Sequence, residues 1–272
     1  MCAAQTQGAL AGMGEKVSQL VPRLGTTLSL LDRIASCHWG CGGGDHVVEY
    51  LCGRAVSNGR AALRLATLGL YDESLSLTRS VGEIANLLFL FADSPAELAA
   101  WKAISRSDRI RQYGPGAVRG KLAKSSKIVP ISLERYQLLC ERATHVTPET
   151  RPQAHNLYGL PSTGGRFQIA GFLLCLNELA LPIAIVSYCA TMIVPLKTEI
   201  GDEILQAGRN LTAVTGAITI ESVDDFFGKA RSDLGVTDRL DASAIHSLQE
   251  EADRRHQDST RPDSKILGQE PK

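Results

Sequence analysis

Arg79 and Glu83 stand at i, i+4 inside an otherwise apolar stretch. On a helix that spacing sets a guanidinium beside a carboxylate. An exposed pair of this kind contributes almost nothing. In an apolar run both charges are partly desolvated and need further partners. The pair therefore reads either as a buried polar site or as a bridge between helices. His145 lies on one stripe with Glu134, Leu138 and Glu141. Glu141 at i−4 can hold a ring nitrogen and favour the charged imidazole, an arrangement suited to general acid–base work. The end of a helix favours that charge too, so a plain C-terminal helix cation is the alternative. Arg79, Glu83, Glu141 and His145 are the candidate catalytic residues.

A second set is electrostatic. Residues 101–128 carry eight basic side chains and one carboxylate, Asp108. Arg106, Arg111, Arg119, Lys121 and Lys124 are the candidate phosphate or nucleic-acid contacts. Only Trp101 and Tyr113 offer rings for stacking. The alternative is a solvated face balanced by Glu199, Asp202 and Glu203. Cys37, His38, Cys41, Asp45 and His46 are residue types that suit zinc, but the C-x-x-C spacing and a second ligand pair are missing. The adjoining glycines lack the G-K-[ST] end of a phosphate loop. No metal and no cofactor is expected.

The composition narrows the class. Of 272 residues, 44% are hydrophobic, 21% charged and 5% aromatic. That excludes collagen, a disulfide-dense scaffold and wholesale disorder. Twenty-nine basic residues balance 29 acidic ones, so the whole surface is not a polyanion binder and any such site is a local patch. The seven cysteines show no disulfide spacing, and Cys52, Cys175 and Cys189 fall in apolar runs. The N-terminus has no basic and apolar leader pattern. A reduced, cytoplasmic protein is the expectation.

The elements that must position these residues are helical. The 3.6-residue period predicts helices over Thr26–Cys37, His46–Leu68 and Asp72–Phe91, with Gly69 closing the second and Asp72 capping the third. His46, Glu49, Arg60 and Arg64 fall on the polar face of the second. Ser94-Pro95 starts another helix. Gly114-Pro115-Gly116 divides the basic segment into two. Ser132 caps a helix running to His145. Residues 146–165 form a long ordered loop of the kind that carries function. Thirty residues between Arg166 and Lys197 hold one charge, Glu178, and are long enough to span a bilayer. Gln168, Asn177, Glu178 and Pro182, and the lack of a second such stretch, favour a buried core helix. Its seam of Phe172, Leu176, Leu179, Ile183, Val186, Ala190 and Ile193 suits packing on a helix or a second subunit. Further helices are expected over Lys197–Leu211 and Ser222–Leu234, a weaker strand signal over Ala217–Glu221, and a disordered tail from about Gln257. The expected fold is an all-α multi-helix bundle with a central apolar helix pair. Residues 1–44 form an N-terminal helical extension, 45–235 the bundle, and 236–272 a last helix and tail.

The run GRAALRLATLGLYDESLSLTRSVGEIANLLFLF, residues 59–91, resembles a group of bacterial helical proteins carried as a domain of unknown function. The resemblance rests on the GLYDE turn at Gly69–Glu73, on Arg79 and Glu83, and on YQLLCERATH over Tyr136–His145. That group is loosely similar to the HEPN superfamily of helical ribonucleases and abortive-infection proteins. The resemblance implies an all-α fold, dimerisation and, in some members, RNA cleavage. The superfamily's arginine, four to six residues, then histidine is met by Arg33–His38 and Arg239–His246, at about the rate chance supplies, so no catalytic residues carry over. Two functions are expected. One is a bacterial defence or stress-response factor acting on or binding nucleic acid. The other is a non-catalytic interaction or dimerisation module. A homodimer and nucleic acid are the expected partners; a membrane is not.

Overall fold

The computed structural model describes residues 2–12, 15–35, 45–125, 129–146, 148, 150–156 and 159–215. Among them are ten helices and no strand. In chain order these are α1 (Cys2–Gly12), α2 (Glu15–Ala35), α3 (Val47–Thr67), α4 (Tyr71–Asp93) and α5 (Pro95–Ala103). They continue with α6 (Arg106–Tyr113), α7 (Pro115–Lys124), α8 (Leu133–Ala143), α9 (Ile169–Ile193) and α10 (Thr198–Thr212). The fold is all-α and bundle-like. The α4–α9 pair makes the most extensive helix–helix contact, with α3, α8 and α10 packed around it. Cys37, His38, Cys41, Lys127, Arg239, His246 and everything from residue 216 onward lie outside the described residues, as do the expected Ala217–Glu221 strand and Ser222–Leu234 helix.

Burial explains the centre. Phe172, Leu176, Leu179, Ile183, Val186 and Ala190 of α9 are buried, as are Leu75, Val81, Leu88 and Phe91 of α4. Each large apolar side chain removed from water stabilises by about 1.5–3 kcal/mol. The α9 seam expected to meet a helix or a second subunit is thus used inside the chain, against α3 and α4. A second copy would need another surface. Leu20, Leu24, Leu28, Leu31 and Ile34 place one stripe of α2 in the same core. That helix begins at Glu15 and runs through Pro22, well before the expected start at Thr26. The expected boundary at residue 44 therefore falls between two elements that share a core.

Among the described residues two helices, α4 and α9, are long and apolar enough to cross a membrane; only α9 stood out in the sequence. The apolar window of α9 is 78% buried within the bundle and that of α4 50%. Cys52, Cys175 and Cys189 are buried, as their apolar settings imply.

The joint between α3 and α4 sets up the site. Gly69 adopts φ +75°. Its N–H donates to Ala66 O and the Leu70 N–H to Leu65 O, a Schellman end that favours glycine. The Gly69 backbone also lies so close to Arg166 that an added Cβ would fall 2.5 Å from the Arg166 carbonyl oxygen. Asp72 does not cap α4, contrary to expectation. The N-cap position is Leu70, which supplies no side-chain bond. The Tyr71 N–H instead donates to Oε1 of Gln153 at 2.8 Å. Ser94 holds the α5 N-cap position without a side-chain bond, whereas Ser132 does cap α8, accepting from Arg135 N–H at 3.2 Å. Glu49, expected on the polar face of α3, is buried, with a carboxylate oxygen 3.6 Å from the His46 ring.

Candidate functional site

Helices α4 and α8 run antiparallel. Asn86 on α4 clasps the backbone before α8, donating to Ile131 O and accepting from Ile131 N–H, both at 2.9 Å. Further along, Glu83 faces Tyr136. The start of α4 and the end of α8 flank Thr150, Arg151, Ala154, His155 and Gly159. A half-open cleft of about 540 Å³ lies there, lined by Asp72, Glu141, Arg142, Thr150, Arg151, Ala154, His155 and Gly159.

The cleft is built around Asp72. Its Oδ1 lies 2.9 Å from His155 Nε2, and its Oδ2 accepts the Gln153 N–H at 2.7 Å. His155 is 7% exposed, packed edge-on to Tyr71 with ring centroids 5.7 Å apart. A carboxylate on one ring nitrogen fixes the orientation of an imidazole. Among the described residues no other hydrogen bond to His155 forms. The loop is held beyond Asp72. Gln153 donates to Glu73 Oε2 at 2.7 Å. Gln168 donates to the Gln153 carbonyl at 2.8 Å and to Ser162 Oγ at 2.9 Å. Its backbone N–H donates to the Tyr71 hydroxyl at 2.7 Å. Gln153 has φ 52°, the one positive value for a non-glycine among the described residues. Such strain persists only where surrounding contacts enforce it, and it gathers at functional sites. Arg142 and Arg151 are exposed on the wall of the cleft and pair with no described carboxylate.

The Arg79–Glu83 pair forms as its spacing predicts. Arg79 Nε and Nη2 donate to Glu83 Oε1 at 3.1 and 2.8 Å. The same oxygen accepts from the Tyr136 hydroxyl at 3.0 Å. Arg119 of α7 covers the Tyr136 ring, with Cζ 4.1 Å from its centroid, and Arg79 lies 5.2 Å from it. Three helices thus meet at one ring. Burial alone would disfavour the charged guanidinium of Arg79, but the hydrogen bond and charge of Glu83 outweigh it and raise its pKa. Burial and Glu83 push Tyr136 up to about 12, so at neutral pH it is a phenol that donates.

The other expected residues are dispersed. Glu141 and His145 are exposed; Glu141 lines the cleft, and His145 bonds only through its backbone N–H, to Cys140 O, among the described residues. Arg111 pairs with Asp108 at 2.6 Å and Lys121 with Glu97 at 2.7 Å. Lys102 pairs with Asp45. Arg109 donates to the carbonyls of Trp101 and Ile104 at the end of α5. Arg106 and Lys124 are exposed. Asp108, Glu97 and Asp45 thus pair with three of the segment's basic side chains, Arg111, Lys121 and Lys102. Among the described residues no ion pair joins this segment to Glu199, Asp202 or Glu203, and Glu203 lies 3.6 Å from Arg33. The sequence did not single out His155, Arg142 or Arg151 as neighbours, and it gave Asp72 a capping place where the structure has it bonding His155 and Gln153; the long loop was the available signal. Among the described residues no three His, Cys, Asp or Glu side chains gather as metal ligands would.

No protein-family model matches this sequence, and no curated protein and no solved structure match it either.

Proposed function

We propose that the chain is a cytoplasmic helical protein that binds or acts on nucleic acid through the α4–α8 cleft. The observation that carries this reading is the company His155 keeps. A buried imidazole oriented by Asp72 faces a concave wall that also presents Arg142 and Arg151. Arginines recognise phosphate through paired N–H donors. A carboxylate-held histidine beside them is placed to accept or deliver a proton at a phosphodiester. Of the four expected catalytic residues, Glu141 belongs to this cleft. The resemblance of residues 59–91 and 136–145 to abortive-infection-like helical proteins supports a defence or stress-response setting. The test is titration of labelled RNA and DNA into the full chain at several salt concentrations. Wild type should bind with affinity falling as salt rises. Arg142→Ala with Arg151→Ala should weaken binding about tenfold or more and flatten the salt slope. Absence of binding by the folded wild type would overturn the reading.

A second reading, a non-catalytic interaction or dimerisation module, is favoured by the Tyr136 junction. There the polar residues tie α4, α7 and α8 together and need no ligand. Arg79→Ala would then cost folding with no separate loss of binding.

A further inference from the structure

Arg142 of the cleft follows Tyr136 by six residues on α8, an axial rise of about 9 Å with the two side chains about 120° apart around the helix. Arg119 reaches the Tyr136 ring from α7. Glu83 satisfies Arg79, whereas no described carboxylate or carbonyl takes the donors of Arg119. Its guanidinium is fixed by the ring alone, at 4.1 Å, and the side chain is partly exposed. A planar cation seated on an aromatic ring is a surface on which a nucleobase can stack. Arg106 and Lys124, exposed and unordered by such a ring, would suit any polyanion. Arg119 suits one whose bases are accessible.

We propose that Arg119 on Tyr136 is a base-stacking platform one to two helical turns along α8 from the cleft, and that the ligand is single-stranded nucleic acid. This rests on nucleic-acid binding at the cleft and adds the form of the ligand. A phosphate of the strand meets Arg142 and Arg151 while a base further along the strand lies on the Arg119 plane. A duplex hides the faces of its bases within the stack and cannot use the platform. Nothing in the platform reads the 2′-hydroxyl, so ribose and deoxyribose strands share its chemistry.

The experiment compares labelled single-stranded RNA, single-stranded DNA and the corresponding duplexes, each titrated into the full-length chain at one salt concentration. The expected result is tighter binding of the single strands by wild type. Arg119→Lys keeps the charge and removes the plane, and should weaken single-strand binding about tenfold with duplex binding unchanged. A thermal melt of the variant separates this from loss of folding, and the strand preference of wild type needs no variant. Equal binding of duplex and single strand, or an Arg119→Lys variant as good as wild type, overturns the platform and leaves the cleft reading standing. Failure of every nucleic acid to bind the folded wild type overturns both. Equal binding of RNA and DNA strands supports the platform as drawn. A strict preference for RNA overturns its indifference to the sugar.

Discussion

Asp72 uses its two carboxylate oxygens on two different parts of one loop: Oδ1 meets the His155 ring at 2.9 Å and Oδ2 takes the Gln153 N–H at 2.7 Å. A single side chain thus orients the imidazole and fixes the backbone that carries it. Asp72→Asn keeps one acceptor oxygen and offers an amide N–H where the second acceptor stood, opposite the N–H of Gln153. The variant is expected to lose about 1–3 kcal/mol. Limited proteolysis should show earlier cleavage within residues 150–160. A loop cut no faster than in wild type would remove Asp72 from this role.

Gly171 sits under the same pair. A Cβ there would lie 2.7 Å from Tyr71 Cδ2 and 2.9 Å from His155 Cβ. Gly171→Ala should therefore destabilise by about 1–3 kcal/mol through overpacking and weaken ligand binding at the cleft. Gly120 in α7 has nothing within 4 Å of its added Cβ, so Gly120→Ala is the control, expected to stabilise by about 0.5–1 kcal/mol. Thermal melts of the two variants should move in opposite directions.

The α5–α7 contact predicts a pH dependence. Glu97 accepts from Lys121 Nζ at 2.7 and 2.9 Å and from the Tyr113 hydroxyl at 2.6 Å. Burial alone would raise its pKa, but the Lys121 and Tyr113 hydrogen bonds outweigh it and hold the carboxyl below its ordinary 4.5. A carboxyl depressed by folding contributes its full stabilisation above 4.5 and loses it as pH falls through the depressed value. Urea unfolding of wild type and Lys121→Met should differ by a constant amount above that pH, with the difference shrinking below it. A difference undiminished well below pH 4.5 would contradict the assignment.

Arg135 donates to Glu178 at 2.5 Å, and the Glu178 side chain is 3% exposed. Removing the guanidinium while keeping the buried carboxylate is costly, about 3–5 kcal/mol for Arg135→Met. Arg135→Met combined with Glu178→Leu should recover most of the loss. Denaturant midpoints of the two variants and wild type decide this, and a double variant no better than the single one would refute the coupling.

The thiols give a chemical check. Burial raises Cys52 and Cys189 to about 12 and raises Cys175 as well. At neutral pH all three are protonated and enclosed, and such thiols are unreactive. A thiol reagent should label them only after denaturation.

What the sequence revealed depended on distance along the chain. Arg79 and Glu83 are one turn apart, so a local rule finds them. The helices α3, α4 and α8 carry clear periodicity and α9 a long apolar run, so their places were legible within a few residues. Asp72 and His155 are 83 positions apart, and no local pattern joins them. Asp72 has the residue type of a helix cap, but Gln153 takes that work from across the fold, which frees the carboxylate for His155. Glu49 looked polar-faced because helical phase alone cannot show that it is buried, with the His46 ring 3.6 Å from its carboxylate. Arg119 was legible as a cation, but its seat on Tyr136 needed the packing of α7 against α4 and α8.

The remote cap on α4 also bears on the order of assembly. The first turn of α4 is closed by a residue synthesised 82 positions later. Until the 150–168 segment docks, the Tyr71 N–H has only water to bind and the opening turn of α4 frays. Helix pairing of α3, α4 and α9 can precede that event, because much of its apolar core, including Val81, Leu88, Leu179 and Ile183, lies further along each helix. Docking of the loop is then a late, long-range step, slowed by the chain it must close. It completes the helix end and delivers His155 to Asp72 in the same motion, so the cleft comes into being only in the finished fold.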